Sequence, residues 1–266
     1  MKHSSSVAGV LTLAALLHAS GCTASAQSAF GTQERSEAAL IGTFYDLKQT
    51  QQRQATRVSP KDYPVIVEEF ISNRWDESVL NRYFRSGRSL YTTQIFIPVM
   101  NADNAPKAFE LGNVVKPSAW IAHYKGQVSP PADGMYRFIG MADDLLAVAV
   151  DDQTVLVAAL FPTPSWAPPA DAVQHHNCVG QRPYVYGNWI NLKKNQIINL
   201  DIIVGERPGG QFCAFLCYER QGAAYPMKGQ FPILPLFQLA PVAVPALSTN
   251  LAPPVSKVGE TWIGKQ

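Results

Sequence analysis

Apolar and polar positions alternate along much of the chain with a period of two, the spacing of β-strands that bury one face. The first such run covers 39–47 (ALIGTFYDL) and predicts an opening strand. A polar gap follows, then two segments, 63–70 and 76–84, with a different pattern. Asp76 and Glu77 suit a helix start, and Val79, Leu80 and Phe84 give a partial apolar face, so one or two short helices are expected here.

From Leu90 onward the pattern returns to strands. A run over 90–97 is expected to stop at Pro98, and a polar loop around 101–104 leads to another run at 119–124. Hairpin-like units follow at 126–128, 134–140 and 145–150, the last turning through Asp151, Asp152 and Gln153 into 154–161. Two more runs, 199–204 and 211–218, flank a loop containing Gly205, Glu206, Gly209 and Gly210. Strands at this spacing, joined by turns rich in Gly and Pro, predict an all-β sandwich or barrel. There is no internal repeat.

Composition narrows the function. Of 266 residues, 47% are hydrophobic and 16% charged, which is enough apolar material for a core and too little charge for a disordered chain. Lys and Arg number 22 against 20 Asp and Glu, so the excess of positive charge that phosphate recognition needs is missing, and a nucleic-acid partner is not expected.

The N-terminus reads as an export signal. Residues 7–17 form an apolar run after Lys2 that is too short to span a bilayer, and small residues follow it. Two processing sites are open: Ala24-Ser25-Ala26, which leaves Gln27 first, and Ala19-Ser20-Gly21-Cys22, a lipoprotein-type box that would put a lipid anchor on Cys22. The expected location is the periplasm, the cell surface or the medium, and no later segment has the length of a transmembrane helix. The resulting division is a signal over 1–26, a flexible spacer over 27–39, a domain over 40–239, and an Ala/Pro/Val-rich tail over 240–266, packed on the domain or hanging from it.

Cys213 and Cys217 lie four apart on a predicted strand, on one face and about 13 Å from each other, so they cannot bond together. At most one pairs with Cys178, and buried thiols acting as small hydrophobes are the alternative.

The run at 134–151, GMYRFIGMADDLLAVAVD, resembles the protective-antigen (PA14) domain family: a Gly-x-Tyr-x-Phe strand, an Ala-Asp-Asp turn and a strand ending in an acidic hairpin. Weaker similarity extends over about 40–237, with 42–46 resembling the opening strand and 202–218 the closing hairpin. The resemblance implies a β-sandwich, commonly carbohydrate-binding, in which the Asp pair matching Asp143 and Asp144 is joined by a cis peptide and holds Ca²⁺ that accepts sugar hydroxyls. It also implies that the 205–211 loop lies beside the pair, with Glu206 where adhesins carry an amide ligand. Gly209, Gly210 and Gln211 lack the aromatic residue that adhesins place there.

The expected site is therefore Asp143, Asp144, Glu206 and Gln211 for carbohydrate, with Asp143, Asp144 and Glu206 for Ca²⁺, a cation that takes 6–8 oxygens. In the absence of metal, the carboxylates would hydrogen-bond the sugar directly, or merely cap their turn.

Other constellations are weaker. His175, His176 and Cys178 offer a cramped set for zinc. Tyr184, Tyr186 and Trp189 make either a sugar-stacking platform or a core strand face. No G-x-S-x-G, H-E-x-x-H or P-loop pattern occurs, and carboxylate pairs of the glycosidase kind arise by chance in any β-domain, so no enzyme activity is expected. Two functions follow: an exported, non-catalytic, lectin-like module, or a structural or assembly subunit of the cell envelope that uses the same sandwich and its tail for protein contact.

Overall fold

A computed structural model describes residues 28–172, 182–242, 247–256 and 259–265, together with the backbone of 175–179. The segment expected to be an export signal, with Cys22, and the side chains of His175, His176 and Cys178, lie outside the described residues.

Two antiparallel sheets face each other. The strands are β1 (Leu40–Asp46), β2 (Phe84–Thr92), β3 (Phe96–Asn101), β4 (Trp120–Ser129), β5 (Gly134–Asp143), β6 (Leu145–Val150), β7 (Gln153–Ala159) and β8 (His175–Val179). They continue with β9 (Arg182–Tyr186), β10 (Ile190–Leu192), β11 (Ile198–Glu206), β12 (Gln211–Arg220), the short pair β13 (Met227–Lys228) and β14 (Phe231–Pro232), and β15 (Ile263–Lys265). One sheet runs β2-β1-β4-β11-β6-β7, with β15 also on β4; the other runs β3-β12-β5-β9-β8, with β10 also on β5.

Both sheets are covered on both faces, which explains why several strands read as unbroken apolar runs rather than strict alternations. Along β12, Phe212, Ala214, Leu216 and Tyr218 point into the space between the sheets, where Phe44, Trp120 and Leu146 meet them. The alternate residues Cys213, Phe215 and Cys217 point outward, under Leu234 and Leu236. Cys213 and Cys217 are thus buried thiols on one strand face, filling space as small hydrophobes.

The outer face of the first sheet is covered by helix α1 (Tyr63–Ser72), whose Tyr63, Ile66, Val67 and Phe70 pack on Ile121, Ala147 and Ile203. The helix expected from Asp76 is absent. Arg74 and Trp75 take positive φ, Asp76 spends its carboxylate on the Ser78 N–H, and only the 3-10 turn Leu80–Arg82 precedes β2. A second short helix, α2 (Asn104–Ala108), stands in the expected polar loop.

Pro98 does not end its strand. It lies inside the edge strand β3, between Ile97 and Met100 where the pairing with β12 shifts register, so its missing N–H interrupts no ladder pair.

The segment expected as a spacer is anchored from Ser28 onward. Phe30 is fully buried, stacked on Phe212 at 5.9 Å and edge-on to Trp120, and Thr32 bridges Tyr91. A single large aromatic among small polar residues supplies enough buried area to tie them down. The C-terminal segment also packs on the sandwich: Trp262 is 1% exposed, within 5.2 Å of Tyr136 and 5.4 Å of Phe237, and β15 extends the first sheet. Trp262→Ala is expected to cost about 3–5 kcal/mol, read as a lower urea midpoint at unchanged slope. A shift below 1 kcal/mol would mean that the tail contributes nothing to the core.

Asp151 and Asp152 form the β6–β7 turn with positive φ at both positions. Asp151 Oδ1 accepts the N–H and side-chain amide of Asn199. The acidic hairpin is structural.

Candidate functional site

The loops at one end of the sandwich bring three carboxylates together. Asp143 ends β5, Asp144 connects β5 to β6, and Glu206 ends β11. The register puts Gly205 opposite Leu145, and the Asp144 N–H donates to the Gly205 carbonyl, so two segments 60 residues apart are stitched at this point. The Asp143–Asp144 peptide is cis, as in the adhesin pair that the sequence resemblance implies.

Close approach depends on two glycines. A Cβ on Gly205 would lie 2.0 Å from the Tyr63 hydroxyl and 2.7 Å from the Trp120 carbonyl, the two groups that Tyr63 joins by a 3.1 Å hydrogen bond. Gly209 has φ +92°, a region that L side chains avoid, which lets the loop turn back so that its N–H meets Glu206.

One oxygen from each of Asp143, Asp144 and Glu206 lies within 4.8 Å of the others. Asp144 Oδ2 accepts the Arg207 N–H at 2.9 Å, and Glu206 Oε1 accepts the Gly209 N–H at 2.8 Å. The second oxygen of Glu206 is buried with no hydrogen-bond partner. Glu206 is 1% exposed and Asp144 is 4% exposed, whereas Asp143 is the partly exposed member and is paired with Arg182 of β9.

Like charges in a dry site resist ionisation. Burial, reinforced by the Asp144 charge, pushes the Glu206 carboxyl up to about 8. Burial also raises Asp144, against the pull of its bond from the Arg207 N–H. The Cys213 thiol, whose backbone is in register with Asp143, is pushed up to about 12 by burial and remains a neutral neighbour.

The donor set fits a hard divalent cation. Three carboxylates converge, one buried oxygen is unpartnered, and Arg182 neutralises only one of them. Asp144 accepts the Arg207 N–H from the facing loop and so does more than cap its own turn, whereas the Gly209 N–H caps Glu206 within that loop. Of the three carboxylates, Asp143 is the one with exposed surface, and Asp144 and Glu206 lie beneath it.

Gln211 opens β12 opposite Asn101 and is exposed. Tyr184 and Tyr186 are 9% and 1% exposed and belong to the outer core, not to a stacking platform. Trp189 donates to Asp171 and packs over the Arg137 guanidinium at 4.3 Å.

Sequence reasoning missed Arg182. It lies 38 residues from Asp144 in a stretch without a motif, and only the pairing of β9 with β5 carries it to the site.

No protein-family model matches the chain, and no curated protein does. Among solved structures, the chain is similar to a PA14 sugar-binding domain from an RTX adhesin, with 12% identity, a TM-score of 0.44, and coverage of 81% of this chain and 97% of that one. It is similar to the PA14 domain of the MpAFP antifreeze protein, with 13% identity, a TM-score of 0.43, and coverage of 86% and 97%. It is also similar to the Epithelial Adhesin 6 A domain from Candida glabrata in complex with Galb1-3GlcNAc, with 12% identity, a TM-score of 0.42, and coverage of 71% and 83%.

Proposed function

We propose that the chain is an exported, non-catalytic carbohydrate-binding module whose acidic end holds Ca²⁺. The observation that carries this reading is the buried, unpartnered oxygen of Glu206, set among carboxylate oxygens within 4.8 Å of one another. An unsatisfied buried carboxylate is costly, and a bound cation relieves it. Asp143, Asp144 and Glu206 would be the side-chain ligands, with loop carbonyls or waters completing the shell. Bound there, Ca²⁺ would supply a Lewis-acidic face for vicinal hydroxyls.

The protein's own residues set the rest. Asp143 faces outward and marks the side from which a ligand enters, and Arg182 beside it offers donors to a sugar oxygen. The carbohydrate half of the proposal rests on the sequence resemblance at 134–151. Export to the periplasm, surface or medium rests on the N-terminal sequence. The assembly-subunit alternative loses one of its motives, because Trp262 and β15 are taken up by the domain itself.

A glycan array read with calcium and again with EDTA tests the reading. Binding is expected with calcium only, and Asp144→Ala is expected to lose it by at least tenfold. Calcium-independent binding that survives in Asp144→Ala would contradict the assignment.

A further inference from the structure

We propose a second, calcium-independent subsite for a neutral sugar ring at the other end of β12. A cavity of about 300 Å³ is lined there by Tyr218, Arg220, Ala223, Ala224, Tyr225 and the 259–260 segment. Arg220 is in register with Tyr136, whereas Cys213, seven residues back, is in register with Asp143. At the strand rise this separates the cavity from the acidic group by about 23 Å.

The cavity is preformed. The Tyr218 hydroxyl donates to the Glu260 carbonyl at 2.9 Å and accepts the Glu260 N–H at 2.7 Å, which clamps the C-terminal segment onto β12. The Tyr225 hydroxyl accepts the Arg220 N–H at 2.9 Å and fixes the facing loop. Beneath them, Tyr218 packs on Tyr136 and Trp262 at 6.3 and 5.8 Å, so the wall has a rigid aromatic backing. Binding there orders few groups that are not already held.

The lining selects the ligand's chemistry. Arg220 and Glu260 pair at 3.0 Å, with side chains 31% and 48% exposed. Their charges cancel, so neither a cation nor an anion is drawn in, yet carboxylate acceptors and the guanidinium donors not used by Glu260 and Tyr136 remain at the edge. The half-buried Tyr225 and the methyl groups of Ala223 and Ala224 supply an apolar wall. A neutral pyranose matches this pattern, with a C–H face for the wall and a hydroxyl edge for the ion pair. The volume is at the low end for small-ligand pockets and suits one ring, not a chain.

Saturation-transfer NMR on the full chain, with methyl glycosides of glucose, galactose, mannose and glucuronic acid and a neutral tetrapeptide as probes, tests the proposal with EDTA and with calcium. At least one neutral glycoside is expected to give the same signal in both conditions. That signal should fall at least fivefold in Tyr225→Ala and in Glu260→Gln, the latter keeping both backbone bonds to Tyr218. Loss of the signal in EDTA would return it to the acidic site and overturn the subsite without touching the calcium reading. Preference for glucuronide or peptide, absence of any glycoside signal, or a signal unchanged in both variants would also overturn it.

Discussion

Freed of divalent cations, the protein is expected to lose stability as pH rises from about 4.5 to about 8. The sign follows from Glu206. Its carboxyl is pushed from 4.5 to about 8 in the fold, by burial first and the Asp144 charge second. Below 4.5 both folded and unfolded chains hold the proton, and the contribution is fully present. Above 4.5 the unfolded chain releases it while the folded chain keeps it, so each pH unit costs about 1.4 kcal/mol per proton. Above about 8 both forms are ionised and the loss levels off. Asp144, raised chiefly by burial, contributes a loss of the same sign as it ionises. Urea melts in EDTA at half-unit pH steps measure the slope. Glu206→Gln, which keeps an oxygen for the Gly209 N–H, should flatten it. A wild-type curve that is flat between pH 5 and 8 would mean that the carboxylates are solvated or already compensated.

The second large effect concerns calcium itself. A ligand that binds only the folded state adds about 2.7 kcal/mol at a hundred times its dissociation constant, roughly 5–10 °C in a domain of this size. Wild type at pH 7.5 should show a rise of that order when calcium replaces EDTA. Asp144→Ala should show none, because it removes the central carboxylate and leaves the Arg207 N–H without its acceptor. Magnesium should do less, since a three-carboxylate site with loop carbonyls suits a larger, more flexible shell. Equal rises in wild type and Asp144→Ala would place any cation elsewhere.

Much of the sandwich was legible because period-two patterning and turn residues are local signals. Tyr136 and Phe138 fall on the core face of β5, and Asp151 and Asp152 make the hairpin turn. The pairing of Asp143 and Asp144 with Glu206 was legible only through the resemblance, since no local rule joins residues 62 apart. What escaped was set by tertiary contact. Phe30 lies in a polar stretch and is fixed by Phe212 and Trp120, whereas Trp262 lies in a tail and is fixed by Tyr136, Phe138, Tyr218 and Phe237. Helix α1 covers a sheet face whose own residues, Ile121, Ala147 and Ile203, read simply as strand. Arg182 reaches Asp143 through sheet order alone.

The central claim is that Asp143, Asp144 and Glu206 form one cation site. Isothermal titration of calcium into EDTA-stripped protein at pH 7.5, repeated in buffers of different ionisation enthalpy, tests it most directly. The account predicts one site per chain, with proton release on binding because the Glu206 proton must leave. No saturable binding at millimolar calcium, or binding without proton release that persists in Asp144→Ala, would contradict it.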